Sequence, residues 1–98
     1  MKQHFITHKN IIFLDAQNMR LTYLSTFAAP NMEDLESLKK GDFVKVSVNS
    51  ERFWCYVEEI NGFFIKGRID NHLALNTKIG FNDIIEIPQN CILDILDH

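Results

Sequence analysis

Cysteine, proline and glycine are scarce in this chain, and each scarcity removes a class of answer. The two cysteines, Cys55 and Cys91, sit in apolar stretches, Phe53-Trp54-Cys55-Tyr56-Val57 and Cys91-Ile92-Leu93, and there is no C-x-x-C pair. That excludes a disulfide scaffold, a zinc knuckle and a redox motif, and reads as two buried free thiols. Four glycines and two prolines leave neither a proline-rich linker nor a phosphate-cradling loop. None of G-x-x-x-x-G-K, G-x-G-x-x-G, G-x-S-x-G or H-E-x-x-H occurs. The longest apolar run near the N-terminus is Ile11-Ile12-Phe13-Leu14, too short for a membrane span or a signal-peptide core. The expected compartment is therefore the cytoplasm, with no membrane partner. Excess charge is missing too. The formal net charge is −3, against a basic nucleic-acid-binding domain.

What is present describes one small domain. The 98 residues are 46% hydrophobic and 23% charged, an ordinary globular balance that rules out a disordered or fibrous chain. Eight Phe and one Trp supply the bulk for one core. Charge is uneven: residues 1–50 hold six Lys/Arg and five Asp/Glu, while residues 51–98 hold four and eight. No like-charge run exceeds two residues, so the acidic half is a solvated surface.

The chain divides into an N-terminal extension (1–30), a short helix (31–40) and a β-rich remainder (41–98). In the extension, Ile11 to Leu14 reads as a strand, Asp15 to Asn18 as turn formers, and Met19 to Phe27 as a strand or extended arm. Asn31 is a plausible N-cap, and Glu33, Asp34 and Glu36 suit the positive end of a helix dipole. Met32, Leu35 and Leu38 form one apolar stripe, and Gly41 suits a left-handed C′ position. From Gly41 the period becomes two. Strands are expected at 42–49, 52–60, 63–70, 82–87 and 91–95, with Leu73 and Leu75 tucked under the intervening loop.

Asn61-Gly62 marks a hairpin. A three-residue loop with Gly62 in a left-handed bulge position sorts charged and apolar residues onto separate faces. It pairs Val57 with Ile65, Cys55 with Gly67, Phe53 with Ile69, Trp54 with Arg68, Tyr56 with Lys66 and Glu58 with Phe64. The expected core is Val44, Val46, Val48, Phe53, Cys55, Val57, Ile65, Ile69, Ile85 and Ile87. Five short strands with tight connections predict a mainly β, α+β fold with one short helix: a small SH3-like five-stranded barrel carrying an N-terminal extension.

Several segments stand in an order that resembles an uncharacterised bacterial family of small β-rich domains. They are Gly41-Asp42-Phe43-Val44-Lys45-Val46, Glu51-Arg52-Phe53-Trp54 through Ile60, Gly67-Arg68-Ile69-Asp70-Asn71, Ile79-Gly80 and Ile92-Leu93-Asp94-Ile95. The resemblance covers Leu38 to Ile95 and implies no particular reaction or ligand. One departure is Asn71-His72-Leu73, where that family often has Asn-Asp-Pro. A looser likeness is to Tudor-type domains, through Trp54 and Asp70-Asn71. It implies an aromatic cage for methylated Lys or Arg.

The candidate site is the outer face of the second and third strands. Trp54, Tyr56, Phe64, Lys66 and Arg68, with Glu58, have the aromatic-and-Arg composition of a recognition surface, and Asp70 and Asn71 lie at its end. A competing reading is stronger: Phe5, Ile6, Ile12, Leu14, Leu21, Leu24 and Phe27 must bury somewhere, and this face would serve. Asp70 and Asn71 most simply cap a turn. His4 and His8, four apart on a strand, lie about 13 Å apart and do not make a metal pair. No catalytic residue, metal or cofactor is expected. The leading expectation is a non-catalytic module with a protein partner. Alternatives are a single-stranded nucleic-acid binder using Trp54, Phe64, Lys66 and Arg68, and a small hydrolase centred on Asp70-Asn71-His72.

Overall fold

The computed structural model describes residues 4–96 and builds them into a seven-stranded antiparallel sheet with two short α-helices. The strands are β1 (Phe5–His8), β2 (Ile11–Leu14), β3 (Phe43–Val48), β4 (Glu51–Asn61), β5 (Phe64–Ile69), β6 (Ile84–Pro88) and β7 (Asp94–Ile95). Their order is β1-β2-β3-β4-β5-β6, and β7 pairs with β3. Helix α1 spans Ala16–Thr22 and α2 spans Met32–Glu36, and Gln89–Cys91 form one 3-10 turn before β7. The architecture is thus mainly β with helices, as expected, but with seven strands for five and two helices for one. The hydrogen-bonded ladder is also not closed, since no pairing among the described residues joins β6 back to β1 or β7.

Period-two patterning places the core. Val44, Val46 and Val48 of β3, Phe53, Cys55 and Val57 of β4, Ile65 and Ile69 of β5, and Ile85 and Ile87 of β6 are all buried. Lys45 and Arg68, on the opposite parity, are only half-buried. Leu35 and Leu38 pack into the same cluster, while Met32, expected on their stripe, is 67% exposed.

Tight turns set the connections. His8 pairs with Ile11 across Lys9-Asn10, and Val48 with Glu51 across Asn49-Ser50. Both residues of each loop have positive φ, the type I′ pattern that follows sheet twist. In the β4–β5 hairpin Asn61 pairs with Phe64, so the loop is the two residues Gly62-Phe63 with Gly62 at φ +61, not the expected three-residue loop. A bulge between Val57 and Glu59 then shifts the register. Val57 faces Gly67, Cys55 faces Ile69 and Tyr56 faces Arg68. These pairs are offset by two residues from the expected ones. An offset of two keeps every side chain on its face and changes only its partner.

The extension is the larger correction. Residues 19–22 belong to α1, not to a strand or arm. Asp15, read as a turn former, is its N-cap, and its carboxylate accepts the Asn18 N–H. Phe13 is fully buried in the main cluster, with Ile6 and Ile11 packed against it, so the extension is part of the core. The chain's second helix is also shorter than 31–40. Ser37 caps α2, and the Asp42 N–H returns to the Lys39 carbonyl at 3.1 Å. Gly41, at φ +99, takes the third position of that turn, where a type II turn needs positive φ, and is not a helix C′ residue. Strand 82–87 narrows to β6, strand 91–95 narrows to β7, and Leu75 is exposed at 63%. Asp97, one of the acidic residues of the second half, lies outside the described residues.

Candidate functional site: the outer face of the central strands

Alternation along β3, β4, β5 and β6 brings one cross-strand row to the outer face. Phe43 pairs with Tyr56, Tyr56 with Arg68, and Arg68 with Ile84. The Phe43 and Tyr56 rings meet edge to face with centroids 5.5 Å apart. The Arg68 guanidinium lies 4.9 Å from the Tyr56 ring centroid. In the neighbouring row Lys45 pairs with Trp54, and its Nζ lies 5.0 Å from the indole centroid. The two-residue offset between β4 and β5 thus moves Arg68 from the expected Trp54 to Tyr56, and β3–β4 pairing independently places Lys45 beside Trp54. Each contact of this kind contributes about 0.5–1 kcal/mol at an exposed site.

Electrostatic partners divide the face. Arg68 Nε donates to Glu58 Oε2 at 2.6 Å, which holds the guanidinium pKa above its ordinary value. Lys66 Nζ lies 3.9 Å from Glu59. Phe64 is stacked under His8, centroids 4.4 Å apart, and His8 Nε2 lies 2.7 Å from Glu86 Oε1. Lys9 Nζ reaches the same carboxylate at 3.3 Å. The His8 contact, with Lys9 beside it, lowers the Glu86 pKa from 4.5. These side chains bring β1 up to β6 without a backbone ladder.

The expected cover over Trp54 takes a different course. Phe13 and Ala16 enter the interior, and His8 reaches the face at Phe64. Phe5, Ile12, Leu21 and Leu24 stay exposed. Trp54 and Tyr56 remain half-buried.

The loop after β5 holds the strand end. The Trp54 N–H donates to Asn71 Oδ1 at 2.6 Å, and the Asp70 N–H to the Trp54 carbonyl at 2.9 Å. His72 stacks on Phe81, centroids 4.5 Å apart. Asn71 thus positions the backbone beneath Trp54, and no hydrogen bond joins the side chains of Asp70, Asn71 and His72 to one another. Of the seven expected site residues, Trp54, Tyr56 and Arg68 cluster with Lys45. Phe64 and Lys66 are engaged by His8 and Glu59, and Asp70 and Asn71 close the strand end. Sequence reasoning missed Lys45, Phe43 and Arg52, although the parity of β3 and β4 already placed all three outside. His4 and His8 separate as well. His4 Nδ1 lies 2.6 Å from Asn18 Oδ1, far along the chain from the Glu86 contact of His8.

A groove of about 910 Å³ adjoins this face. Residues 26–30, α2, β3, β4 and β7 contribute to its lining, and Lys45 and Arg52 are the cations at its sheet side. Burial pushes both thiols up to about 12, and neither is paired in a disulfide. Among the described residues no group of three or more His, Cys, Asp or Glu side chains could hold a metal ion, and no helix is long and apolar enough to cross a membrane.

Comparison with protein-family models, with curated proteins and with solved structures returns no match. The functional reading therefore rests on the residues of this chain.

Proposed function

We propose that the chain is a non-catalytic protein-interaction module whose β3–β7 segment is an SH3-like barrel and whose binding surface is the outer face of β3, β4 and β5. Support for the fold comes from the order β7-β3-β4-β5-β6 and from the single 3-10 turn that leads into a short β7 paired with β3. The observation that carries the function is the pair of half-buried rings on one face, each already carrying a cation: Lys45 over Trp54 and Arg68 over Tyr56. Rigid aromatics beside Arg and Lys combine large contact area with directed charge, the combination that concentrates binding energy.

The test compares wild type with Trp54→Ala, both verified as folded by circular dichroism, as immobilised baits. Retention of a protein by wild type and its loss from Trp54→Ala is the expected result. Equal retention by both, or none by either, contradicts the proposal. Single-stranded nucleic acid is the rival occupant of an aromatic and cationic face. A gel shift with a steep loss of binding as salt rises, and no retained protein, would favour it.

A further inference from the structure

We infer that the partner is an acidic peptide segment, docked with its carboxylates on Lys45 and Arg52 beside Trp54 and its apolar side chains in the adjoining groove. This rests on the interaction-module reading and names the chemistry of its partner.

Three observations select the sign of the charge. First, the aromatic rings are not free to receive a cation. Lys45 sits 5.0 Å from the Trp54 centroid and Arg68 sits 4.9 Å from that of Tyr56. A basic or methylated-lysine ligand would have to displace a cation of the chain itself and then face it at close range. Second, the cations of the face are unequally engaged. Arg68 holds Glu58, Lys66 holds Glu59 and Lys9 holds Glu86. Lys45 and Arg52 make no ion pair among the described residues. They lie on one face, diagonal across β3 and β4, with Trp54 next to Arg52 along its parity row. Third, the groove's carboxylates lie outside β3 and β4. Asp42 is 3.3 Å from Lys39 Nζ, Asp34 lies on α2, and Asp94 stands on β7 opposite Lys45. On β3 and β4 the groove charges are Lys45 and Arg52, and Arg52 lies opposite the neutral Ser47.

The groove, about 910 Å³ and bordered by Phe27, Pro30 and Leu96, has room for several residues of a peptide. An acidic segment with interspersed apolar residues matches both walls.

Random peptides displayed on phage, panned against the full chain, test the inference. The expected result is enrichment of Asp/Glu-rich sequences containing apolar residues. A synthetic copy of an enriched peptide then titrates the fluorescence of Trp54, the only tryptophan, so binding at this face is read directly. Lys45→Glu and Arg52→Glu should each weaken that peptide by about tenfold or more, the worth of one charge-assisted contact. Lys78→Glu, an exposed lysine outside both groove and face, should leave its affinity unchanged. Circular dichroism of all three variants verifies the fold. Enrichment of basic sequences that still perturb Trp54 overturns the acidic partner and leaves the interaction module standing. Acidic peptides that bind without any change at Trp54, or equally to Lys45→Glu and Arg52→Glu, overturn the placement. No enrichment, with an oligo-dT strand shifting the Trp54 emission instead, overturns the inference and the protein-binding module together. No enrichment and no effect of oligo-dT overturns the inference alone.

Discussion

Replacing Gly67 by alanine adds one methyl group between the buried side chains of Ile87 and Cys55. A Cβ built there would lie 2.8 Å from Ile87 Cδ1 and 3.0 Å from Cys55 Cβ. Carbon atoms in good contact sit about 3.5–4.0 Å apart, so both neighbours would have to give. Overpacking of this kind costs about 1–3 kcal/mol. The φ of Gly67 is not in the left-handed range, so the backbone accepts alanine, and the loss of unfolded-state entropy returns about 0.4–1 kcal/mol. The net expectation is a destabilisation of about 1–2 kcal/mol. Urea unfolding reads it as a lower midpoint at unchanged slope. Ile87→Val removes the nearer obstacle, Cδ1, and alone costs about 0.5–1.5 kcal/mol. The double variant should therefore be less damaged than the two single losses added together, with Cys55 Cβ leaving part of the clash in place. Wild-type stability for Gly67→Ala, or strict additivity in the double variant, would refute this account of how β4, β5 and β6 meet.

Other parts of the fold give independent readings. Phe13→Ala removes a fully buried ring supplied by the extension and should cost about 3–5 kcal/mol in chemical denaturation, whereas a negligible loss would mean that the extension is an appendage. Ser50, at φ +67, occupies the second left-handed position of its turn, so Ser50→Gly should raise stability by about 0.5–1 kcal/mol; a decrease would contradict the type I′ assignment. Glu51 clasps the loop between β5 and β6: its carboxylate accepts the N–H groups of Ala74, Leu75 and Asn76 and the side-chain amide of Asn76. The Ala74 N–H foremost, with the other donors, lowers its pKa below 4.5 against an opposing desolvation effect. Its contribution is present above pH 4.5 and is lost as pH falls through the lower folded value. The stability gap between wild type and Glu51→Gln, measured by urea unfolding, should therefore be largest near neutrality and shrink in acid. A gap independent of pH would refute the clasp.

Legibility in the sequence followed the strength of the local signal. Alternation in Phe43–Val48, Glu51–Asn61 and Phe64–Ile69 specified the buried face, and every expected core residue lies in it. Pairing within the hairpin was harder to read. The bulge at Glu58 serves two demands at once, a two-residue turn at Gly62-Phe63 and sorted faces, and neither demand alone reveals it. Helix α1 buries only Ala16, so it shows no apolar stripe, and its cap reads equally as a turn. Asp42 and Glu51 look like surface charges in sequence, yet their partners, at Lys39 and at residues 74–76, make them ties between segments. The outer face was visible as a composition but not as a geometry. Lys45 comes from β3, outside the hairpin that supplied the aromatic residues, and only β3–β4 pairing brings it over Trp54.

The central claim is that Trp54 is an accessible ring set among cations of the chain itself. Quenching of its emission by iodide and by neutral acrylamide, side by side, tests it in one experiment. A half-buried indole beside Lys45 and near Arg52 should be quenched by both agents. Iodide quenching should exceed that of a neutral-environment reference, because the local positive field concentrates the anion, and should fall in Arg52→Glu and in high salt. Acrylamide quenching should stay the same under both changes. A blue-shifted emission untouched by either quencher, or iodide quenching indifferent to Arg52→Glu and to salt, would contradict the account.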